Sequence, residues 1–289
     1  MDGLIVILGG FSFWLGASIA SFLNVVIWRV PRGESIVSPP SHCPKCNALI
    51  KWYQNIPILA WLALRGKCAN CKAPISPRYI LVETLGGSLF LAVFLNYFVR
   101  IGAPIMDVPT WIVVFVNWIW ISLMIVGSMI DYDLQLLPDF VTVGGMILGL
   151  VVNGFFCFVY WPLIVGESGF GWKQFLLEPV FGLALGFGLL WLVRWFGGKV
   201  FRREAMGIGD VFLMGAVGSL FGPMAVLVTL VLSSVFGSVI GVGLIALSKT
   251  RLGAFRAIPF GPFICLGCLA YMFFGAELVH WYVGLFKVN

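Results

Sequence analysis

Apolar runs recur along the whole chain, broken only by short polar stretches, and each is close to the roughly 20 residues a helix needs to cross a bilayer. Reading these runs against the charged residues predicts about eight helices, near 4–27, 80–99, 110–130, 140–161, 179–197, 209–221, 223–247 and 260–284. The sixth is short and glycine-rich, so it is not expected to span fully. The first run begins at Asp2 rather than at a basic segment and is long enough to span, so it reads as a membrane helix and not as a cleaved signal. No internal repeat or low-complexity tract stands out. The expected fold class is an all-α polytopic membrane protein with one sizeable polar loop, over 28–79. The domains expected are a first helix over 1–27, that loop, and a helical core over 80–289.

Composition sharpens this. The chain is 61% hydrophobic and only 10% charged, against about 25% charged residues in soluble domains. Lys and Arg collect on the cytoplasmic side of membrane proteins. Alternating the loops puts 28–79, 131–139, 198–208 and 248–259 on one face. Of the 18 Lys and Arg, all lie on that face except Arg100, Lys173 and Lys287. Both termini are therefore expected on the periplasmic side and the large loop in the cytoplasm. The net charge of +6 then reads as a topology signal and an attraction to anionic lipid. No basic surface independent of the membrane is visible, so nucleic acid is not an expected partner.

The large loop reads CPKCNALIKWYQNIPILAWLALRGKCANC. Its two C-x-x-C pairs, Cys43/Cys46 and Cys68/Cys71, have the spacing that places four thiolates on one tetrahedral metal ion, zinc above all. Four sulfurs leave no open position, so the metal is expected to be structural. A loop of this size has little core, and a metal clip offsets that deficit. Two disulfides are the alternative, disfavoured by the reducing cytoplasm. Cys265 and Cys268 repeat the spacing inside the uncharged stretch FICLGCLAYMFF and read as small packing residues, as does Cys157.

Four aspartates gather at the cytoplasmic edge: Asp131, Asp133 and Asp139 in SMIDYDLQLLPDFVT, and Asp210 in MGIGDVFLMGAVGSLFG. Ionisable groups at membrane depth are functional by default. Two carboxyl groups held together can share a proton, one activating water while the other donates to the peptide carbonyl or leaving amine, and they titrate as a unit. Depth favours Asp131 and Asp210, with Asp133 wetter and Asp139 suited to the next helix's N-terminus. Gly207 and Gly209 would let a substrate backbone or a facing helix approach Asp210.

In order and spacing, SFLNVVIWRVP, the two cysteine pairs, NIPILAWLALRGKC, SPRYILVE, DYDLQLLPD, MGIGD and IPFGPFICLG resemble the bacterial type IV prepilin peptidases, the leader peptidase/N-methyltransferases of type IV pilus and type II secretion systems. These are GxGD intramembrane aspartyl proteases of the inner membrane. The resemblance implies Asp131 and Asp210 as catalytic residues and a zinc-ribbon-like loop held by Cys43, Cys46, Cys68 and Cys71. It implies cleavage of a basic leader after a glycine of a prepilin or pseudopilin. Methylation of the new N-terminus by S-adenosylmethionine then follows. Gly66 matches a family glycine linked to methyl transfer, with a turn glycine as the alternative. Glu83, one turn into an apolar helix, is a candidate proton acceptor from the α-amine, with an ion pair to Arg78 or Arg29 as the alternative. The sequence departs from the family pattern at Gln54, Ile80 and Phe212, where an acid, a proline and a lysine are usual. Two other readings stand beside this one: the same protease without methyl transfer, and an ion-coupled transporter with midplane acids.

Overall fold

The computed structural model describes residues 2–166, 171–202, 206–247 and 258–286. Arg203, Lys249, Arg251, Arg256 and Lys287, all used in the charge count, lie outside the described residues, as does the side chain of Lys173. Among the described residues the regular secondary structure is helical, apart from two isolated β-bridges in the cysteine loop. The helices are α1 (Asp2–Arg29), α2 (Leu59–Ala63), α3 (Arg78–Leu95), α4 (Val108–Leu134), α5 (Asp139–Gly166), α6 (Gly171–Phe201), α7 (Ile208–Leu247) and α8 (Gly261–Phe286). All but the short α2 are long and apolar enough to cross a membrane, so the all-α polytopic class holds.

Two compact units divide the chain, Met1–Val126 and Gly127–Asn289. In the first, α1 packs on α3 through small residues: a Cβ added at Gly16 would lie 2.6 Å from Phe90 Cγ, and one at Gly86 would lie 2.5 Å from Ala20 Cβ. Close backbone approach of this kind replaces the hydrophobic drive that lipid cannot supply. Phe90 also stacks on Trp118 at 5.0 Å, whose indole N–H donates to the Phe90 carbonyl at 3.0 Å.

The second unit is built around α7. Its first half is sealed, with Val211, Leu213, Met214, Ala216 and Val217 at most 1% exposed. Straight, its 40 residues would rise about 60 Å, twice the roughly 30 Å hydrocarbon thickness. It is not straight. Gly222 has φ 82 and ψ −178, a conformation closed to side-chain-bearing residues, and Pro223 starts the second half where its missing N–H costs nothing. Gly237 faces Phe263, and Gly267 faces Thr229 and Ser233, so the second half runs antiparallel to α8. Phe263 lies two residues after Gly261, whose amide reaches Asp131, and Asp131 is within Coulombic reach of Asp210. Both ends of α7 therefore lie at the same end of this unit. The chain folds back at Gly222, making two helices where 209–221 and 223–247 were expected. The first half, residues 208–221, rises only about 20 Å.

Other boundaries move. α4 runs to Leu134, so Asp131 and Asp133 sit in its last turns rather than after it. α6 begins at Gly171 and carries Pro179 inside; losing one backbone bond does not end a helix whose other bonds have no water to turn to. α5 packs beside the first half of α7, where Asn153 donates to the carbonyls of Ser219 at 3.2 Å and Leu220 at 3.3 Å.

Candidate active site

Asp131 is carried by the end of α4, Asp210 by the first turn of α7, and both are buried, at 6% and 7% exposure. Their carboxyl groups lie within Coulombic reach of each other. The 78 positions between them are closed up by the α5 and α6 excursion, which returns the chain to the same end of the unit. Asp133 is only half-buried and Asp139 is exposed in the first turn of α5. The structure thus brings together the two aspartates favoured by depth and leaves the other two wetter.

The pair is held by backbone donors. The amide of Gly261, at the first position of α8, donates to Asp131 Oδ2 at 3.0 Å. A Cβ there would lie 2.5 Å from the same oxygen. Gly261 is not among the residues with positive φ, so its lack of a side chain serves close approach and not backbone conformation. The amide of Gly207 is hydrogen bonded to the Asp210 carboxylate. Asp210 Oδ1 is buried without a hydrogen-bond partner among the described residues. An orphaned acceptor of this kind is costly unless water or substrate completes it.

The two glycines before Asp210 do different work. A Cβ at Gly209 would lie 2.7 Å from Leu137 Cβ, so Gly209 admits the segment joining α4 to α5. Gly207 is exposed, and a Cβ there would touch only Asp210 Oδ2, at 3.4 Å, which leaves an open approach to the carboxylate. Arg194, near the end of α6, donates to the carbonyl of Met206, the first residue of MGIGD. Phe212 packs edge-on against Phe187 of α6 at 5.5 Å.

Two neighbours of the pair were not legible as site residues. Cys265 lies within Coulombic reach of both aspartates and shares a hydrogen bond with Ser128. Gly261 was visible only as part of IPFGPFICLG. Its placement at the start of an apolar helix, ahead of Pro262, was the available signal.

In the first unit, the Sγ atoms of Cys43, Cys46, Cys68 and Cys71 all lie within 4.8 Å of one another, and those of Cys43 and Cys71 are 3.8 Å apart. Zinc–thiolate bonds of about 2.3 Å in a tetrahedron put sulfurs about 3.8 Å apart, so the cluster fits that ion. Each pair is set by the same turn. The Cys43 amide donates to Ala48 at 3.0 Å and Asn47 returns to Cys43 at 2.8 Å. Cys68 donates to Ala73 at 2.8 Å and Lys72 returns to Cys68 at 3.1 Å. Asn47 and Lys72 share a left-handed conformation, φ 55 and φ 60. The backbone amide of Ala48, then the Asn70 side chain, pull the Cys46 thiol down to about 6. Cys71 is also drawn down by the Ala73 amide, but burial and the neighbouring thiols outweigh that and push it up to about 11. Four crowded thiols cannot all ionise alone; a cation among them lets them do so.

Gly66 stands in the left-handed region, φ 64, and a Cβ would lie 2.8 Å from Trp61 Cζ2. Its amide caps α2 by donating to the Trp61 carbonyl at 2.9 Å, a turn glycine's position. Glu83 is 7% exposed and its Oε2 accepts the amide of Ile58 at 2.7 Å. Arg29 bonds instead to the carbonyls of Ser35 and Pro39. Gln54 folds back onto the Lys51 amide at 3.1 Å, and Ile80 sits in the first turn of α3.

Comparison with known proteins bears on these sites. Residues 14–97 match the bacterial peptidase A24 N-terminal domain, and residues 118–242 match the type IV leader peptidase family. The prepilin leader peptidase/N-methyltransferase of Pseudomonas putida is 32% identical over 286 residues, covering 91% of this chain and 90% of that protein. The chain belongs to the type IV leader peptidase family. A second relative of the same name, from Myxococcus xanthus, is 40% identical over 243 residues; the match covers 84% of this chain and 64% of that protein. The type 4 prepilin-like proteins leader peptide-processing enzyme of Escherichia coli is 34% identical over 283 residues, 90% of this chain and 92% of that protein. No solved structure matches the chain. Within the family frame, Asp131 and Asp210 both fall in the leader-peptidase match, the four cysteines and Glu83 fall in the N-terminal match, and Gly261 and Cys265 lie beyond both. The protein is a multi-pass membrane protein of this family.

Proposed function

We propose that the protein removes the basic leader of prepilins or pseudopilins after a glycine and then N-methylates the exposed N-terminal residue. The observation that carries the first activity is the burial of Asp131 and Asp210 within Coulombic reach of each other, with Asp210 Oδ1 left without a partner. In this reading one carboxylate takes a proton from water as the water oxygen attacks the scissile carbonyl. The other carboxyl protonates the leaving amine, and the pair ends with one shared proton as it began. General acid–base catalysis of this kind contributes about 10²–10⁴-fold. Gly207 gives an extended substrate backbone access to Asp210. Asp131 and Asp210 are the catalytic residues, and Gly207 and Gly209 shape the approach.

The charge asymmetry supports a cytoplasmic active site in the inner membrane and periplasmic termini. The apolar helix of the substrate then lies in the bilayer, and its leader reaches the aspartates from the cytoplasm, with membrane lipid as the surrounding partner. Zinc on Cys43, Cys46, Cys68 and Cys71 holds the loop and takes no part in chemistry. S-adenosylmethionine supplies the methyl group when bound. The names of the relatives couple both activities in one chain, and in this reading the 28–79 loop is the part linked to methyl transfer. Those names weigh against a protease alone, and the family weighs against an ion-coupled transporter.

Purified protein, a prepilin and mass spectrometry test both activities. Leader loss without S-adenosylmethionine, and a further gain of about 14 Da per methyl with it, are the expected results. A product that is cut but never gains mass would remove the second activity. No cleavage at all by the intact protein would remove the first.

A further inference from the structure

One cavity in the first unit has chemistry that neither the aspartate pair nor the cysteine cluster uses. It has a volume of about 340 Å³ and is lined from α1 by Ser21, Phe22 and Arg29, and from the following loop by Val37, Ser41 and Asn55. That is the size of a small-molecule site, about 300–1,000 Å³. Hydroxyl, amide and guanidinium groups share its walls with aliphatic and aromatic side chains.

Arg29 is the unusual member. It is 9% exposed. Its Nη1 donates to the Ser35 carbonyl and its Nη2 to the Pro39 carbonyl, both at 2.8 Å. A guanidinium has five donors, so its hydrogen-bonding capacity is not exhausted. Among the described residues, no carboxylate pairs with its charge. A buried cation without a counter-ion is costly, and a planar guanidinium suits a carboxylate or a phosphate. The cavity therefore fits the carboxylate end of a ligand that also carries a ring and polar groups.

We propose that this cavity binds S-adenosylmethionine, with Arg29 receiving its α-carboxylate, Phe22 and Val37 flanking its base, and Ser21, Ser41 and Asn55 meeting its polar groups. The proposal rests on the methyltransferase reading above. It also reassigns Glu83. Ile58 has φ 62 and ψ −55, a strained conformation for a β-branched residue, and the Glu83 carboxylate holds its amide at 2.7 Å. Ile58 directly follows Pro57, which lines the same cavity. Glu83 is thus a positioning residue for the cavity wall, acting through Oε2, which accepts the Ile58 amide.

The test is calorimetric titration of the detergent-solubilised full-length protein with S-adenosylhomocysteine, which needs no turnover. Arg29→Gln, and Ser21→Phe as a variant that fills the cavity without touching the Ser35 and Pro39 carbonyls, should each weaken binding at least tenfold, with melting temperature and zinc content retained. Glu83→Gln can still accept the Ile58 amide and should bind within threefold of wild type, whereas Glu83→Ala should lose at least tenfold. A parallel arm adds phosphatidylglycerol, which carries the same anionic chemistry on a lipid. Displacement of S-adenosylhomocysteine by that lipid, with Arg29→Gln abolishing lipid binding, would assign the cavity to headgroups and overturn the proposal. Unchanged affinity in both Arg29→Gln and Ser21→Phe, in a protein that still methylates, would move the donor elsewhere and leave the methyltransferase reading standing. A wild-type protein that neither binds S-adenosylhomocysteine nor adds a methyl would overturn both.

Discussion

The cysteine cluster and the aspartate pair are both small constellations of ionisable groups, but they are assembled in opposite ways. The four thiols come from one short loop, placed by two copies of the same backbone turn. The loop supplies all four sulfurs, and they lie within 4.8 Å of one another. The aspartates come from the ends of α4 and α7 and are steadied by the start of α8, so three helix ends must coincide. A thiol site that is local needs a cation to neutralise it; a carboxyl site that is non-local needs close helix packing to exist. The first should break on losing its metal, the second on gaining a methyl group at the wrong glycine.

The largest expected effect is on the pair itself. Asp131→Asn or Asp210→Asn should each lower leader removal by at least about 10³-fold, in the range of losing one partner of a unit that acts together, while melting temperature is retained. A variant with near wild-type cleavage would detach that residue from the chemistry. Next comes the metal. Chelation, or Cys43→Ser, should expose the loop around residues 43–71 to protease and abolish methylation, with leader removal falling far less. Equal loss of both activities would mean that the two regions are not independent.

Gly261→Ala tests the packing requirement. Its Cβ would intrude to 2.5 Å from Asp131 Oδ2, so kcat for cleavage should fall about 10–100-fold, the cost of a small misplacement at a reacting group, with KM little changed. Gly144→Ala, where nothing lies within 4 Å, is the matched control and should be near neutral. Gly209→Ala meets Leu137 Cβ at 2.7 Å and should destabilise by about 1–3 kcal/mol, the range for overpacking, with partial rescue by Leu137→Gly, which removes that Cβ. The smallest effect is expected at Gly66. Alanine there takes a left-handed conformation at a cost of about 1–2 kcal/mol and also displaces the Trp61 ring, 2.8 Å from its Cβ, read as a lowered loop melting temperature with leader removal intact.

Much of this was legible in the chain. Runs of apolar residues located the membrane helices, and cysteine spacing located the cluster, because both signals are local. The two-helix reading of 209–247 also survived, since Gly222 and Pro223 put a fold-back where a continuous apolar run would otherwise be one helix. Asp131 and Asp210 could be singled out by depth and by resemblance. Their partners could not. Gly261 meets Asp131 across 130 positions, and Leu137 reaches Gly209 by a turn whose direction no periodicity encodes. Glu83 read as a candidate base or an ion-pair partner because its depth was visible, while the Ile58 amide that occupies it lay 25 residues upstream. Helix ends shifted for a related reason: Asp131, Asp133 and Pro179 look like terminators, yet backbone bonds in a membrane have no solvent to compete for them.

The account turns on Asp131 and Asp210 acting as one unit. The measurement that tests this most directly is prepilin cleavage by Asp131→Asn, Asp210→Asn and the double variant, assayed side by side with purified, folded protein. A double variant no slower than either single one is predicted. Losses that multiply, or a single variant that cleaves at the wild-type rate, would contradict it.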